Sequence, residues 1–272
     1  MPRACRYYVP GHVWHITHRC HKKEFLLKFA RDRQIWLDWL FEARKRFGIV
    51  ILDYTVTSNH IHLLVYDAGG GEVIPKTVQL AAGRTAQEYN TRKQRKGAFW
   101  ENRYHATAIQ TGRHLAQCIA YIDLNMVRAG VVKRPSEWPH GGFVEIQNAP
   151  RRYRLVDRTM LKRLLGIDGD TKLSRVHLDL VGEALGMRTR ARERRWSESV
   201  AVGDSAFLEK IKGELGGRAL GREIVSSAGS HELREPRVPY QAPYNDHFRL
   251  KNTPLSLGNG LIWRIYDENS MS

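Results

Sequence analysis

The sequence contains few cysteines and no long apolar run. Three cysteines, an odd number without paired spacing, argue against a disulfide framework and against a zinc finger. No stretch has the length and apolarity of a membrane span, and neither a basic amphipathic helix nor a lipidation motif is present. The N-terminus lacks the apolar core of a signal peptide. We therefore expect a cytoplasmic protein with no membrane partner.

Acidic residues are also scarce. The chain of 272 residues has 28 Asp and Glu against 44 Lys and Arg, which gives a net charge of +16 and a pI near 10.0. A hydrophobic content of 42% is that of a globular protein of one or two domains. A charge this positive favours a polyanionic partner, with nucleic acid as the leading candidate. We expect the protein to associate with the nucleoid.

Two histidines share one face of a predicted strand. A β-rich run at 49–56 is followed by a short turn and a second run at 60–65. His60 and His62 point the same way because strand side chains alternate between faces, and aliphatic residues take the other face. Neutral imidazoles can hold a divalent cation. Two ligands do not complete a metal site, however, so two half-buried sheet histidines explain the pattern equally well.

A second group of histidines lies in and beside the first predicted strand, from Val13 to Cys20. Their three-residue spacing fits no shared face of a strand, which disfavours a metal site. We predict that they are solvated or face DNA: His12, His15, His18 and His21.

A predicted helix from 111 to 129 carries a polar stripe beside its apolar one. Steps of three and four residues align the members of this stripe one above another: His114, Gln117, Tyr121, Asn125 and Arg128. Tyr121 is thereby placed among polar side chains. Packing, the usual role of a helical tyrosine, stays open as the alternative.

The predicted elements run strand, helix, strand, strand, helix, strand. This order predicts an α+β fold with a ferredoxin-like antiparallel sheet and helices on one face. The tyrosine-bearing helix would then meet the histidine strand on the opposite face. We predict three regions: 1–150 as the main domain, 151–230 as a basic helical auxiliary DNA-binding region within a mainly helical or irregular extension, and 231–272 as an extended tail.

Several segments resemble a known family. The histidine–hydrophobic–histidine strand, preceded by Asn59, resembles the HUH motif of single-strand DNA endonucleases. Residues 121–130, Tyr-Ile-Asp-Leu-Asn-Met-Val-Arg-Ala-Gly, resemble the tyrosine helix of REP-associated tyrosine transposases, which are relatives of the single-tyrosine insertion-sequence transposases. Segments 99–105 and 135–138 fit the same family. Met126 departs from the pattern, since the family usually has proline there.

This resemblance implies a metal-dependent enzyme over residues 1–150. Its expected reaction is sequence- and hairpin-directed cleavage and rejoining of single-stranded DNA through a covalent 5′-phosphotyrosine. By position it assigns Tyr121 as the nucleophile, with His60, His62 and Asn125 as ligands of Mg²⁺ or Mn²⁺. The expected partner is single-stranded DNA with imperfect palindromes or hairpins, bound by a monomer or homodimer.

Basic residues near these motifs are candidates for phosphate contacts, although such residues are often merely solvated. The candidates are Arg92, Lys93, Arg95, Lys96, Arg103, Arg113, Arg128, Arg192, Arg194 and Arg195. Two other functions stay open. One is a non-catalytic ferredoxin-like protein that binds nucleic acid. The other is a metal phosphodiesterase that uses water as its nucleophile, a class that usually needs more acidic ligands than this sequence offers.

Overall fold

A computed structural model describes residues 8–69, 71–186, 193–227 and 230–235. These residues all lie in one compact unit. Arg192 and most of the predicted tail lie outside the described residues. Among the helices of the described part, none is long and apolar enough to cross a membrane.

The first six elements confirm the predicted ferredoxin-like fold. Strands pair in the order β2-β3-β1-β4, with every neighbour antiparallel, and the two intervening helices pack side by side. These elements are β1 (Val13–Arg19), α1 (Ala30–Phe47), β2 (Val50–Val56), β3 (His60–Tyr66), α2 (Val73–Arg92) and β4 (His105–Ile109).

Local signals explain where these elements begin and end. Helix α1 ends at Gly48, whose φ of 69° is left-handed and whose N–H donates to the carbonyl of Arg44 at 2.9 Å. The β2–β3 turn closes through the N–H of Thr57, which donates to the carbonyl of His60 at 2.9 Å. Strand β4 has only five residues, and the segment before it meets the end of β1 through a single bridge between Cys20 and Trp100.

The predicted helix over 111–129 is two helices, α3 (Arg113–Asp123) and α4 (Asn125–Arg128). Leu124 interrupts them with φ −82° and ψ 3°, a ψ far from the helical value. The side chains on either side of Leu124 are held by different partners. Asp123 lies 2.6 Å from His177, and Asn125 lies 3.0 Å from His62 of β3. These tertiary contacts explain a break that the periodicity of the sequence does not reveal.

The extension after residue 150 is mainly helical, as predicted, and it also lengthens the sheet. Strand β5 pairs in parallel with β4, and β6 and β7 follow at the edge, which gives seven strands in the order β2-β3-β1-β4-β5-β7-β6. The first residues of the predicted tail belong to β7. The division at residue 150 stays a prediction about function. The later elements are α5 (Phe143–Gln147), α6 (Arg158–Leu165), α7 (Asp170–Gly186), α8 (Arg195–Glu198), β5 (Ala201–Gly203), α9 (Ser205–Leu215), β6 (Glu223–Ser227) and β7 (Ser230–Arg234).

Candidate active site

A cleft of about 480 Å³ opens where β3 begins. Its lining includes His60, His62, Tyr121, Asn125 and Arg128. The four residues predicted as nucleophile and metal ligands are therefore neighbours, although 59 or more positions separate the histidines from the tyrosine in the sequence.

The distances within this cluster are short. The amide nitrogen of Asn125 lies 3.0 Å from Nε2 of His62. The rings of His60 and His62 are 4.9 Å apart between centroids, and the ring of Tyr121 lies 5.7 Å from that of His62, edge to face. Tyr121 is only 5% exposed, so its ring is largely enclosed while it borders the cleft.

His62 is supported from behind by a histidine of β1. His62 faces Thr17 across the β1–β3 ladder, so His15 is its diagonal neighbour on the same face. Nε2 of His15 lies 2.9 Å from Nδ1 of His62, and Nδ1 of His15 donates to the carbonyl of Trp196 at 2.7 Å. Burial lowers the pKa of His15 to about 3, so the ring is neutral near neutral pH.

The prediction that the histidines of β1 are solvated or face DNA is wrong for His15, whereas His18 lines the cleft and its DNA-facing role stays a prediction. His15 is fully buried, and His18 is 7% exposed with its ring stacked on Trp100 at 4.1 Å. The prediction failed because spacing along one strand does not reveal the register with its neighbours. His15 is the residue of the site that sequence reasoning missed.

His60 is held by the turn that precedes it. Its Nδ1 donates to Oδ1 of Asn59 at 2.7 Å and lies 2.9 Å from Oγ1 of Thr57. The orientation of the Asn59 amide is fixed, because its nitrogen donates to the carbonyl of Lys23 at 3.2 Å. Asn59 therefore presents its oxygen, not its nitrogen, to His60.

The residues present offer ligands for a divalent metal ion. Within the described residues, no group of three His, Cys, Asp or Glu side chains is arranged to hold a metal, so the donor set would be two imidazoles and one amide. The 3.0 Å between Asn125 and His62 is about the separation of adjacent ligands around an octahedral ion with bonds near 2.1 Å. The amide would bind through its oxygen, and its two ends are assigned only by their surroundings. Glu101 and Glu198 line the same cleft.

A guanidinium group lies beside the tyrosine. Cζ of Arg128 is 4.2 Å from the ring centroid of Tyr121, and its Nη2 donates to the carbonyl of Tyr121 at 2.5 Å. Burial lowers the pKa of Arg128, while Tyr121 and Glu193 act in the opposite direction. Arg128 places positive charge where a phenolate would form.

A buried contact between a histidine and an aspartate anchors the chain between Tyr121 and Asn125. Nε2 of His177, on α7, lies 2.6 Å from Oδ2 of Asp123, and both side chains are almost fully buried. Burial raises the pKa of Asp123, and the contact with His177 opposes that rise. Helix α7 thus fixes the turn that carries the two site residues.

The basic candidates differ in their surroundings. Arg103 lines the cleft together with Arg128. Lys93, Lys96, Arg113 and Arg194 are exposed. Three others are tied to protein groups: Arg92 pairs with buried Asp32, Arg95 donates to the carbonyl of Ala98, and Arg195 pairs with Glu193.

Aromatic residues near the basic segments also divide into two kinds. Trp196 is fully buried, so it is not a platform for a nucleic-acid base. Phe25 and Phe29 are instead 64% and 57% exposed. Nζ of Lys28 and of Lys93 lie 5.9 and 5.6 Å from the ring centroid of Phe29. Sequence reasoning missed this surface, for which the only signal was two phenylalanines close to lysines in segment 22–29.

These features define a class of α+β protein with an antiparallel sheet and a cleft lined by histidine, tyrosine and arginine. Residues 8–125 match the family described as "Transposase IS200 like". This match confirms the predicted resemblance over these residues.

Solved structures give two further likenesses. One is described as a REP-associated tyrosine transposase bound to a REP hairpin. It is 19% identical with a TM-score of 0.45, covering 58% of this chain and 92% of the other. Another is from Deinococcus radiodurans R1 and is provisionally described as a transposase. It is 21% identical with a TM-score of 0.31, covering 44% of this chain and 94% of the other. No curated protein matches the chain.

Proposed function

We propose that this protein cleaves and rejoins single-stranded DNA beside imperfect hairpins through a covalent 5′-phosphotyrosine on Tyr121. The observation that carries the proposal is the convergence of Tyr121, His60, His62 and Asn125 in one cleft of one chain. A protein that only binds nucleic acid needs no tyrosine against a histidine pair. The IS200-like match over residues 8–125 supports the same reading.

The proposed chemistry is an in-line displacement at phosphorus. The phenol oxygen of Tyr121 loses its proton and forms a bond to phosphorus, while the bond from phosphorus to the 3′ oxygen breaks. The departing 3′ oxygen takes up a proton, and the downstream strand stays attached to the tyrosine through its 5′ phosphate. Attack by a 3′-hydroxyl reverses these steps and rejoins DNA without an external energy source. Arg128, 4.2 Å from the ring, favours negative charge on the phenol oxygen.

His60, His62 and Asn125 are the proposed holders of Mg²⁺ or Mn²⁺. When bound there, the ion would polarise the non-bridging oxygens of the phosphodiester. The side chains have their own tasks besides this: Asn125 holds the edge of His62, and His62 packs against the ring of Tyr121.

The surface beside the cleft suits single-stranded DNA. We propose that bases stack on Phe25 and Phe29, and that Lys28 and Lys93 contact the backbone. The loop of Phe25 is joined to the site, since Asn59, next to His60, donates to the carbonyl of Lys23. The other exposed candidates, including Arg113 and Arg194, extend this basic surface as proposed phosphate contacts.

The hairpin preference and the REP-associated type are proposed on the motif at 121–130. We also propose that residues 151–230 have an auxiliary DNA-binding role. The protein would act as a monomer or homodimer, in the cytoplasm with the nucleoid. The net charge of +16 supports a DNA partner throughout.

The test uses a single-stranded hairpin oligonucleotide with Mn²⁺, labelled at its 3′ end in one sample and at its 5′ end in another. We expect a covalent adduct on denaturing gels that carries the 3′ label only. Tyr121→Phe abolishes this adduct, while Tyr104→Phe, a control at a tyrosine whose ring lies 6.2 Å from that of His18, retains it. Cleavage without an adduct would favour water as the nucleophile, and binding without cleavage would favour a pure binding protein.

A further inference from the structure

The two histidines of the cleft are each held through Nδ1 by a separate partner. His62 meets His15, and His60 meets Asn59. A neutral histidine carries one proton on either Nδ1 or Nε2, and only the nitrogen without a proton can bind a metal or accept a hydrogen bond. The partners therefore decide which nitrogen offers its lone pair to the cleft.

The tautomer of His62 follows from a main-chain carbonyl. The carbonyl of Trp196 can only accept, so the proton of neutral, fully buried His15 is on Nδ1. Nε2 of His15 then carries a lone pair and accepts. Its partner at 2.9 Å, Nδ1 of His62, must be the donor. The lone pair of His62 is consequently on Nε2, the atom 3.0 Å from the Asn125 amide.

The contact between His15 and His62 has the geometry of a hydrogen bond in the ring plane. The two rings are nearly parallel, at 11°, with centroids 5.1 Å apart. The nitrogens are much closer than the centroids, so the rings meet edge to edge.

The tautomer of His60 follows from the preceding turn. The nitrogen of Asn59 is committed to the carbonyl of Lys23, so its oxygen faces Nδ1 of His60 and accepts. Oγ1 of Thr57 donates its single proton to the carbonyl of His60 at 2.8 Å, so it also acts as an acceptor toward Nδ1. Both contacts require a proton on Nδ1, which places the lone pair of His60 on Nε2.

We propose that His15 and Asn59 are positioning residues that fix His62 and His60 in the tautomer whose Nε2 lone pair serves the cleft. The chain of contacts from Trp196 through His15 makes the segment around α8 part of the site, although it lies beyond the matched residues 8–125. The consequence for metal binding rests on the proposed function. The tautomers themselves do not.

The test measures tautomers directly in metal-free protein, by ¹⁵N chemical shifts of the histidine rings, together with Mn²⁺ affinity. The wild type should show His60 and His62 protonated on Nδ1. His15→Asn keeps a donor for Trp196 but does not reach His62. We expect that variant to shift His62 toward the Nε2-protonated form and to weaken Mn²⁺ binding about 10- to 100-fold. His15→Gln, whose amide extends to the position of Nε2, should restore both. His12→Asn, at another histidine beside β1, serves as control.

A second arm tests His60 and leaves His15 unchanged. Replacing both acceptors, in Thr57→Val with Asn59→Ala, should shift the tautomer of His60, whereas Asn59→Asp retains an acceptor and should leave it unchanged. Unaltered tautomers in His15→Asn and in the double variant would overturn the proposal. Wild-type protein with the expected tautomers but no Mn²⁺ binding would support the positioning role and refute the metal part of the proposed function.

Discussion

The buried pair between His177 and Asp123 allows a quantitative prediction. Replacing His177 with leucine removes the partner of a carboxylate that has almost no solvent contact. Loss of one member of a buried pair costs about 3–5 kcal/mol. Asp123 can reduce this cost by taking up a proton, because burial already raises its pKa. We therefore expect a loss of about 3 kcal/mol in the free energy of unfolding at pH 8.

The loss should depend on pH in a defined direction. Without His177 the folded pKa of Asp123 rises further above its unfolded value, so protonation stabilises the folded variant. The destabilisation relative to wild type should shrink as pH falls from 8 to 5, by roughly 1.4 kcal/mol for each pKa unit gained. Urea unfolding at both pH values measures it. His177→Gln, which keeps a donor toward Asp123, is the matched control. Equal losses at both pH values, or equal losses in both variants, would refute the reasoning.

Three further predictions concern a glycine, the exposed aromatic surface and a second buried histidine. Gly142→Ala should cost about 1–3 kcal/mol of stability, because the new Cβ would lie 2.3 Å from Oδ1 of buried Asp53. Gly83→Ala is the control, since no atom lies within 4 Å of its Cβ position and it should not lower the melting temperature. Equal shifts of the melting temperature in the two variants would contradict this prediction. Serine at both Phe25 and Phe29 should weaken single-stranded DNA binding about tenfold or more in fluorescence titrations while leaving thermal stability unchanged, and undiminished affinity would remove these rings from the DNA path. Burial lowers the pKa of His140 to about 4, so protonation of this ring favours the unfolded chain. The stability of the wild type relative to a His140→Phe variant should therefore fall between pH 6.5 and 4, by at most about 3 kcal/mol. A constant difference across that range would refute the assignment.

The sequence predicted the parts of the fold that depend on local patterns. A β-rich run predicted β2, alternation predicted β3, and the order of the predicted strands and helices predicted the ferredoxin-like sheet. These signals are strong because each element buries one face against the same core. Strands β5 to β7 were not predicted, since a three-residue strand such as β5 has too few residues to show alternation.

The site was predicted to the extent that its residues lie in contiguous motifs. His60, His62, Tyr121 and Asn125 stand in two short segments whose residue types suggest chemistry. The contribution of His15 depends on the β1–β3 register and on a carbonyl 181 positions away. The spacing of residues along β1 predicts neither the register nor the contact with this carbonyl. Local spacing also does not reveal exposure: Trp196 follows a run of arginines in the sequence, yet it is fully buried.

The central claim is that Tyr121 carries the DNA strand during the reaction. The most direct measurement isolates the covalent adduct, digests both protein and DNA, and locates the retained nucleotide by mass spectrometry. The account predicts a 5′-phosphonucleotide on the peptide that contains Tyr121, dependent on Mn²⁺ and absent from His62→Ala. A nucleotide on another residue, such as Tyr104, would contradict it, as would cleaved DNA with no modified peptide.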